Sequence, residues 1–253
     1  MNPFRPARFL ARPPSLSPSA VLPSPHQHTR PALLILNQPV SSTDLLERLW
    51  AHSDYRICAD GGANRLFDAF VHDHVRRDQF LPSQIHGDLD SLRPSVRDYY
   101  AAKGVPISRD HDQYSTDFGK AVKQITAAIL IMCTLGGRVD QGLGLLYEML
   151  RIQLAYPDTR LWLFSESSVS FILPAGRNEL HLPDLAYFTE NVGILPAFGP
   201  AVISTKGLEW DVTDWPTSVD GNVSTSNHVR SPVVEVTTSA IVLFTIERAE
   251  RLP

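Results

Sequence analysis

The chain has 253 residues, 43% of them hydrophobic and 20% charged, enough for one large domain or two modest ones with cores of their own. A formal net charge of -4 and a pI near 6.1 argue against a broad nucleic-acid-binding surface or a polybasic membrane patch, while leaving room for a small anionic ligand held by local positive charge. The longest apolar run, Ala127 to Leu135, is strand-sized and falls well short of the roughly eighteen residues of a membrane span.

Residues 1–31 hold eight of the twenty prolines together with Arg5, Arg8, Arg12 and Arg30, and the first acidic residue is Asp44. The arginine-rich, acid-free mix suits a transit peptide, but the prolines spoil an amphipathic helix, so a disordered or surface-wrapping tail is the preferred reading. Ala32 to Asn37 then reads as a strand buried on both faces, and Ser42-Thr43-Asp44 caps a helix reaching about Trp50. Tyr55 to Ala59 is a second strand; it ends in Asp60-Gly61-Gly62-Ala63-Asn64, with helix expected from Arg65. Strand, acid, paired glycines and helix in that order let backbone approach a ligand at the carboxyl edge of a sheet.

Ile85 to Gly87 gives a third strand, Leu92 to Lys103 a helix with Pro94 in its first turn, and Val105 to Ser108 a short fourth strand. A helix is expected from Ser115 to about Gln124, a fifth strand from Ala127 to Cys133, an apolar helix from the 136–141 stretch to about Leu154, and a strand at Leu161–Phe164. After Ser165 only short runs punctuated by Gly, Pro, Asn and Asp remain. The expected fold is therefore α/β: an amino-terminal mainly parallel sheet with flanking helices over 32–165, and a carboxyl-terminal all-β sandwich over 166–253. Cys58 and Cys133 sit in apolar runs and read as reduced core residues of an intracellular protein, with a reactive thiol as the lesser reading.

The chemistry concentrates between Ile85 and Lys120. Asp88 and Asp90, two residues apart on an extended chain, would point the same way about 6.6 Å apart, an arrangement relieved by a hard cation such as Mg²⁺. A D-x-D pair also serves as a simple helix cap. Five acids, Asp60, Asp88, Asp90, Asp117 and Asp140, all fall just after expected strands or at helix starts, positions that gather along one edge of an open α/β sheet. Lys120, one turn beyond Asp117, and Gly136-Gly137-Arg138 offer phosphate contacts, or a solvated lysine and a plain turn. Trp210, between Glu209 and Asp211, suits either a core or stacking on a flat cationic ring.

Taken together, Asp60 to Arg65, Gly87 to Ser91, Asp112-Gln113 with Ser115 to Phe118, Gly137 to Gln141, Lys206 to Trp210 and Val223 to Asn227 resemble the thiamine pyrophosphokinase family in order and approximate spacing from about residue 32 to 247. The resemblance implies diphosphoryl transfer from ATP to the hydroxyethyl oxygen of thiamine, giving AMP and thiamine diphosphate, in a homodimer with shared active sites. By that likeness Asp88, Asp90 and Asp117 hold Mg²⁺, and Lys120 and Arg138 act on the phosphates. Asp60, Gly61, Gly62, Asn64, Gln113, Thr116 and Gly137 serve ATP, while Asp140, Trp210, Ser226 and Asn227 serve thiamine. Departures from the family are Leu89, Val139, Tyr114, Cys133-Thr134 before Leu135, and a short connection from Lys120 to Ala128. The rival readings are a Mg²⁺-dependent nucleotide hydrolase and a module that binds a nucleotide or thiamine diphosphate without turnover. The expected location is cytoplasmic, with organellar targeting by residues 1–31 left open; no nucleic acid or membrane partner is expected.

Overall fold

A computed structural model describes residues 3–13, 30–110, 116–122, 128–182 and 186–253, with the backbone but not the side chain of Asp117. The chain divides into two compact units, 12–166 and a second made of 1–11 with 167–253.

In the first unit the strands are β1 (Ala32–Ile35), β2 (Tyr55–Ala59), β3 (Gln84–Gly87), β4 (Ile107–Arg109), β5 (Ile129–Met132) and β6 (Leu161–Phe164). The helices are α1 (Thr43–Ala51), α2 (Gly62–Ala69), α3 (His74–Gln79), α4 (Pro94–Ala102), α5 (Asp117–Val122) and α6 (Val139–Ala155). All strand pairings here are parallel, in the order β6-β5-β1-β2-β3-β4. Every residue of β1, β5 and β6 is buried, which is why these segments carry unbroken apolar runs instead of alternation. The chain steps outward from β1 to β4, then returns to place β5 on the other side of β1. Loops after β1 and β5 therefore part in opposite directions, opening a crevice at the carboxyl ends of these two strands.

Local chemistry sets the element boundaries. Ser42 Oγ accepts the Leu45 N–H at 3.1 Å and starts α1; Pro94 occupies the first turn of α4. Helix α2 begins at Gly62 and not at Arg65, because the absence of side chains at the glycine pair lets it press on β1. A Cβ on Gly62 would lie 2.1 Å from the carbonyl oxygen of Ile35. Strand β4 starts at Ile107 and not at Val105, since Pro106 has no N–H and contributes only its carbonyl, to Ile85 N at 2.9 Å. Helix α3, absent from the sequence reading, is capped by Asp73 Oδ1 on the Arg76 N–H at 2.9 Å. The connection between Lys120 and Ala128 crosses positions 123–127, outside the described residues.

The second unit contains β7 (Ser168–Leu173), β8 (Gly176–His181), β9 (Phe188–Leu195), β10 (Ala201–Lys206), β11 (Trp215–Thr217), β12 (Ser224–His228), β13 (Val233–Thr238) and β14 (Val242–Arg248). Its antiparallel strands run β12-β9-β14-β7 in one layer and β11-β10-β13-β8 in the other, forming the sandwich. Edge strand β11, missed in the sequence, accommodates Pro216 because only one side of it needs to pair. The start of the chain, 1–11, groups with this unit. Phe4 N donates to Glu179 O and His181 N to Phe4 O, both at 2.8 Å, and the Phe4 ring stacks on Phe171 at 5.1 Å. Phe9 and Leu10 are buried as well, so apolar burial holds this segment; positions 14–29 of the expected tail lie outside the described residues. Among the described residues no helix is long and apolar enough to cross a membrane.

Candidate active site

The crevice between β1 and β5 is a cavity of about 400 Å³. Leu36, Asn37 and Gln38 follow β1 into its wall, Cys133 and Thr134 follow β5, and Asp140 and Gln141 come from the first turn of α6. Ser91 and Thr116 line it from the side of the acid loop and α5. Both cysteines are free and buried, and burial pushes the Cys58 thiol up and that of Cys133 up to about 12; neither is a nucleophile at neutral pH.

Asp60 ends β2 in the left-handed region, at φ +42°, and is 3% exposed. Its Oδ2 accepts the Ser91 N–H at 3.0 Å, whereas Oδ1 is buried without a hydrogen-bond partner. Burial pushes this carboxyl above the ordinary carboxylate value; the Ser91 hydrogen bonds oppose the rise and nearby Asp88 adds to it. Asn64 is committed to scaffolding: Nδ2 donates to Ser91 O at 2.7 Å and Oδ1 accepts the Arg93 N–H at 3.1 Å, tying the acid loop to α2.

The two acids of the D-x-D motif do not project alike. Leu89 takes φ +64°, so the chain turns there instead of running extended, and the Asp90 N–H folds back on Asp88 Oδ1 at 3.2 Å. Asp88 faces Lys120, whose Nζ is 3.6 Å from Asp88 Oδ2, while Asp90 is exposed and meets Arg109 at 3.3 Å. Beside them His86 offers Nδ1 to Ser108 Oγ at 2.7 Å. Burial pushes its imidazole below the usual range, against the pull of Asp110 and with the help of Lys120.

Thr116 Oγ1 accepts the Gly119 N–H at 3.1 Å and so starts α5, the helix that carries Lys120 inward. Asp117 is its first residue; its side chain, like all of Gln113, lies outside the described residues. Gly137, at φ +67°, makes the turn into α6. Arg138 and Asp140 grip one another through two hydrogen bonds, 2.6 and 3.1 Å, at an exposed position. Those bonds from Arg138 hold the Asp140 carboxyl below the ordinary value.

In the sandwich unit Trp210 is half-exposed and its backbone is clamped by Asn227, which accepts from Trp210 N at 3.2 Å and donates to Trp210 O at 3.0 Å. The indole and Asn227 line a cavity of about 220 Å³ with Thr205, Val212, Trp215 and Ser224. A bulge between Ser224 and Asn227 puts Ser226, at φ +59°, into a different cleft beside Asn191 and Glu247. Ser226 and Asn227 thus do not share one surface of this unit. Asn37, Gln38, Ser91 and Thr134 were not among the sequence candidates; for Asn37, Gln38 and Thr134 a position just after a strand was the available signal, and for Ser91 its place at the end of the acid loop.

The acids, a buried amine and a crevice where strand order reverses define the class: an α/β enzyme with a ligand site on its carboxyl edge. Residues 46–163 match the model of the thiamin pyrophosphokinase catalytic domain and residues 177–243 that of its vitamin B1 binding domain. Thiamine pyrophosphokinase 2 of Arabidopsis thaliana is 36% identical over 237 residues, covering 86% of each chain, and the Saccharomyces cerevisiae thiamine pyrophosphokinase is 29% identical over 80% of each. The crystal structure of yeast thiamin pyrophosphokinase superimposes with a TM-score of 0.85 at 25% identity, covering 98% of this chain and 92% of that one. The thiamin pyrophosphokinase of Candida albicans gives 0.79 at 25% identity, covering 90% and 95%. The chain belongs to the thiamine pyrophosphokinase family.

Proposed function

We propose that this enzyme moves a diphosphoryl group from ATP to thiamine: the hydroxyethyl oxygen of thiamine bonds to the β-phosphorus, the bond from that phosphorus to the oxygen bridging the α-phosphorus breaks, and AMP leaves. The observation that carries this reading is the meeting of Asp60, Asp88 and Lys120 beside the crevice, acids for a cation and an amine for phosphate.

The donor set fits Mg²⁺. Carboxylate oxygens are its preferred ligands, and Asp60 Oδ1 is a buried oxygen lacking a partner. Among the described residues, which leave out the Asp117 side chain, no three His, Cys, Asp or Glu side chains form a metal cluster by themselves. In this reading Asp60 and Asp88 hold Mg²⁺, with Asp90 and Asp117 completing the acid set. When bound, Mg²⁺ neutralises charge on the triphosphate.

Lys120, fixed by burial against Asp88, takes up charge growing on the transferred group, and Arg138 does so from the turn before α6. A carboxylate of the acid set, Asp88 or Asp117, receives the hydroxyl proton. Gly137 lets backbone approach the phosphates, and Gly61, Gly62 and Asn64 hold the edge that ATP meets; Gln113 and Thr116 are assigned to ATP and Asp140 to thiamine. Trp210 stacks on the cationic thiamine ring, and Asn227 keeps that indole in place, with Ser226 on the neighbouring cleft. Positioning and electrostatics supply most of the rate.

The partner is a second copy of this chain, each active site drawing on both subunits. Support comes from α6, which leaves Val139, Leu143 and Tyr147 exposed along one face at four-residue spacing. Two buried thiols suit a reducing compartment such as the cytoplasm. The test mixes protein, ATP, Mg²⁺ and thiamine, and measures AMP and thiamine diphosphate. Equal amounts of both are expected; AMP formed without thiamine would favour hydrolysis, and binding without product a non-catalytic module. Light scattering on the purified protein checks the dimer.

A further inference from the structure

Thr134 stands out among the residues that line the crevice. Strand β5 stops at Met132, Cys133 turns through φ +60°, and Thr134 follows with 6% of its surface exposed. Its Oγ1 is buried and lacks a hydrogen-bond partner, although the residue lines the cavity of about 400 Å³. A buried hydroxyl left unpaired is costly, so an arrangement that keeps one beside an open cavity makes sense when a ligand completes it.

The surrounding wall indicates which part of a ligand arrives there. Asn37, Gln38, Thr116 and Gln141 offer neutral amides and a hydroxyl, with Leu36 and Leu145 as apolar surface. Among the described lining residues the one charge is Asp140, already paired with Arg138. Such a wall suits an uncharged heterocycle and sugar with several donors and acceptors, not a triphosphate; the buried amine on this edge, Lys120, is engaged with Asp88 instead.

We propose that Thr134 Oγ1 hydrogen-bonds the nucleoside end of ATP in this crevice, a contact that rests on the kinase reading above and assigns Thr134 as a nucleotide-specificity residue. The test compares wild type with Thr134→Val, which removes the hydroxyl at nearly constant volume, and Thr134→Ser, which retains it. Without ligand, T134V should melt at or above the wild-type temperature, because it no longer buries an unpaired hydroxyl. Adenosine and ATP should each bind it roughly three- to tenfold more weakly by calorimetry. Tripolyphosphate affinity and the KM for thiamine should be unchanged, and T134S should bind like wild type.

Wild-type adenosine affinity in T134V overturns the proposal, as does an equal loss of affinity for tripolyphosphate. If T134V does not fold, Thr134→Ala set against T134S decides the same question. Wild-type protein that makes no AMP from ATP and thiamine refutes the kinase reading instead, while the adenosine titration still decides the hydroxyl contact.

Discussion

Lys120 Nζ lies 3.6 Å from Asp88 Oδ2, the lysine side chain 1% exposed and the carboxylate 25%. Burial prevents the amine from wandering, so its charge is held in place before substrate arrives. Lys120→Met is expected to lower kcat by about 10² to 10³, the scale for losing one preorganised charge in a site. Asp88 keeps water on its open side, so the fold should persist, with far-UV circular dichroism unchanged while AMP release is followed. A variant with wild-type turnover would remove Lys120 from the mechanism.

Asp60 should set stability against function. Its folded-state pKa is raised, chiefly by burial, so its contribution to stability is present below the unfolded carboxylate value and is lost as pH rises through the folded value. Asp60→Asn is therefore expected to melt above wild type at pH 7, with the gap closing towards about pH 4. The same variant should lose activity, and Mg²⁺ should raise the melting temperature of wild type only. Thermal scans across pH, with and without Mg²⁺, check all three.

Trp210 is 55% exposed, so little core is lost with it. Trp210→Ala should leave the melting temperature nearly unchanged and raise the KM for thiamine roughly two- to thirtyfold, the range for a lost cation–π contact. The KM for ATP should stay put, and Trp210→Phe should recover part of the loss. Equal rises in both KM values would point to a displaced loop.

The adjacent glycines should respond unequally to alanine. At Gly62 a new Cβ meets the backbone of Ile35 at 2.1 Å, and a central strand cannot withdraw; destabilisation of about 3 kcal/mol or more in urea titrations is expected. At Gly61 the obstacle is the side chain of Asn37, 2.4 Å away, which can swing aside at the expense of its hydrogen bond from Arg65. Gly61→Ala should be the milder change. The reverse order would mean that α2 does not press on β1 as described.

Strands with unbroken apolar runs were plain in the sequence, as at Leu161–Phe164, where the boundaries coincide with β6. Burial on both faces leaves no room for polar residues there, so composition carries the signal. Elements defined by single hydrogen bonds were harder to see: α3 depends on the Asp73 cap, and β11 on room for a proline at an edge. Part of the candidate site's geometry was legible. Acids expected after strands do follow β2 and β3, but two-residue spacing could not reveal that Leu89 enters the left-handed region and turns Asp90 towards Arg109. Nor could it separate Asn64, spent on backbone, from residues with groups to spare. Thr134 escaped because an unpaired hydroxyl is a property of its surroundings and not of its type.

Phe4 and Leu180 lie side by side across a β-bridge although the whole of the first unit intervenes between them in the chain. During synthesis the opening segment must wait for strands made last, while the first unit emerges uninterrupted and can fold on the ribosome. Closure over so long a loop slows the sandwich relative to its partner unit. A protease cut anywhere in the intervening 14–29 stretch would leave Phe4, Phe9 and Leu10 attached to their core only by packing and the two backbone hydrogen bonds of Phe4, turning a covalent link into a dissociable peptide.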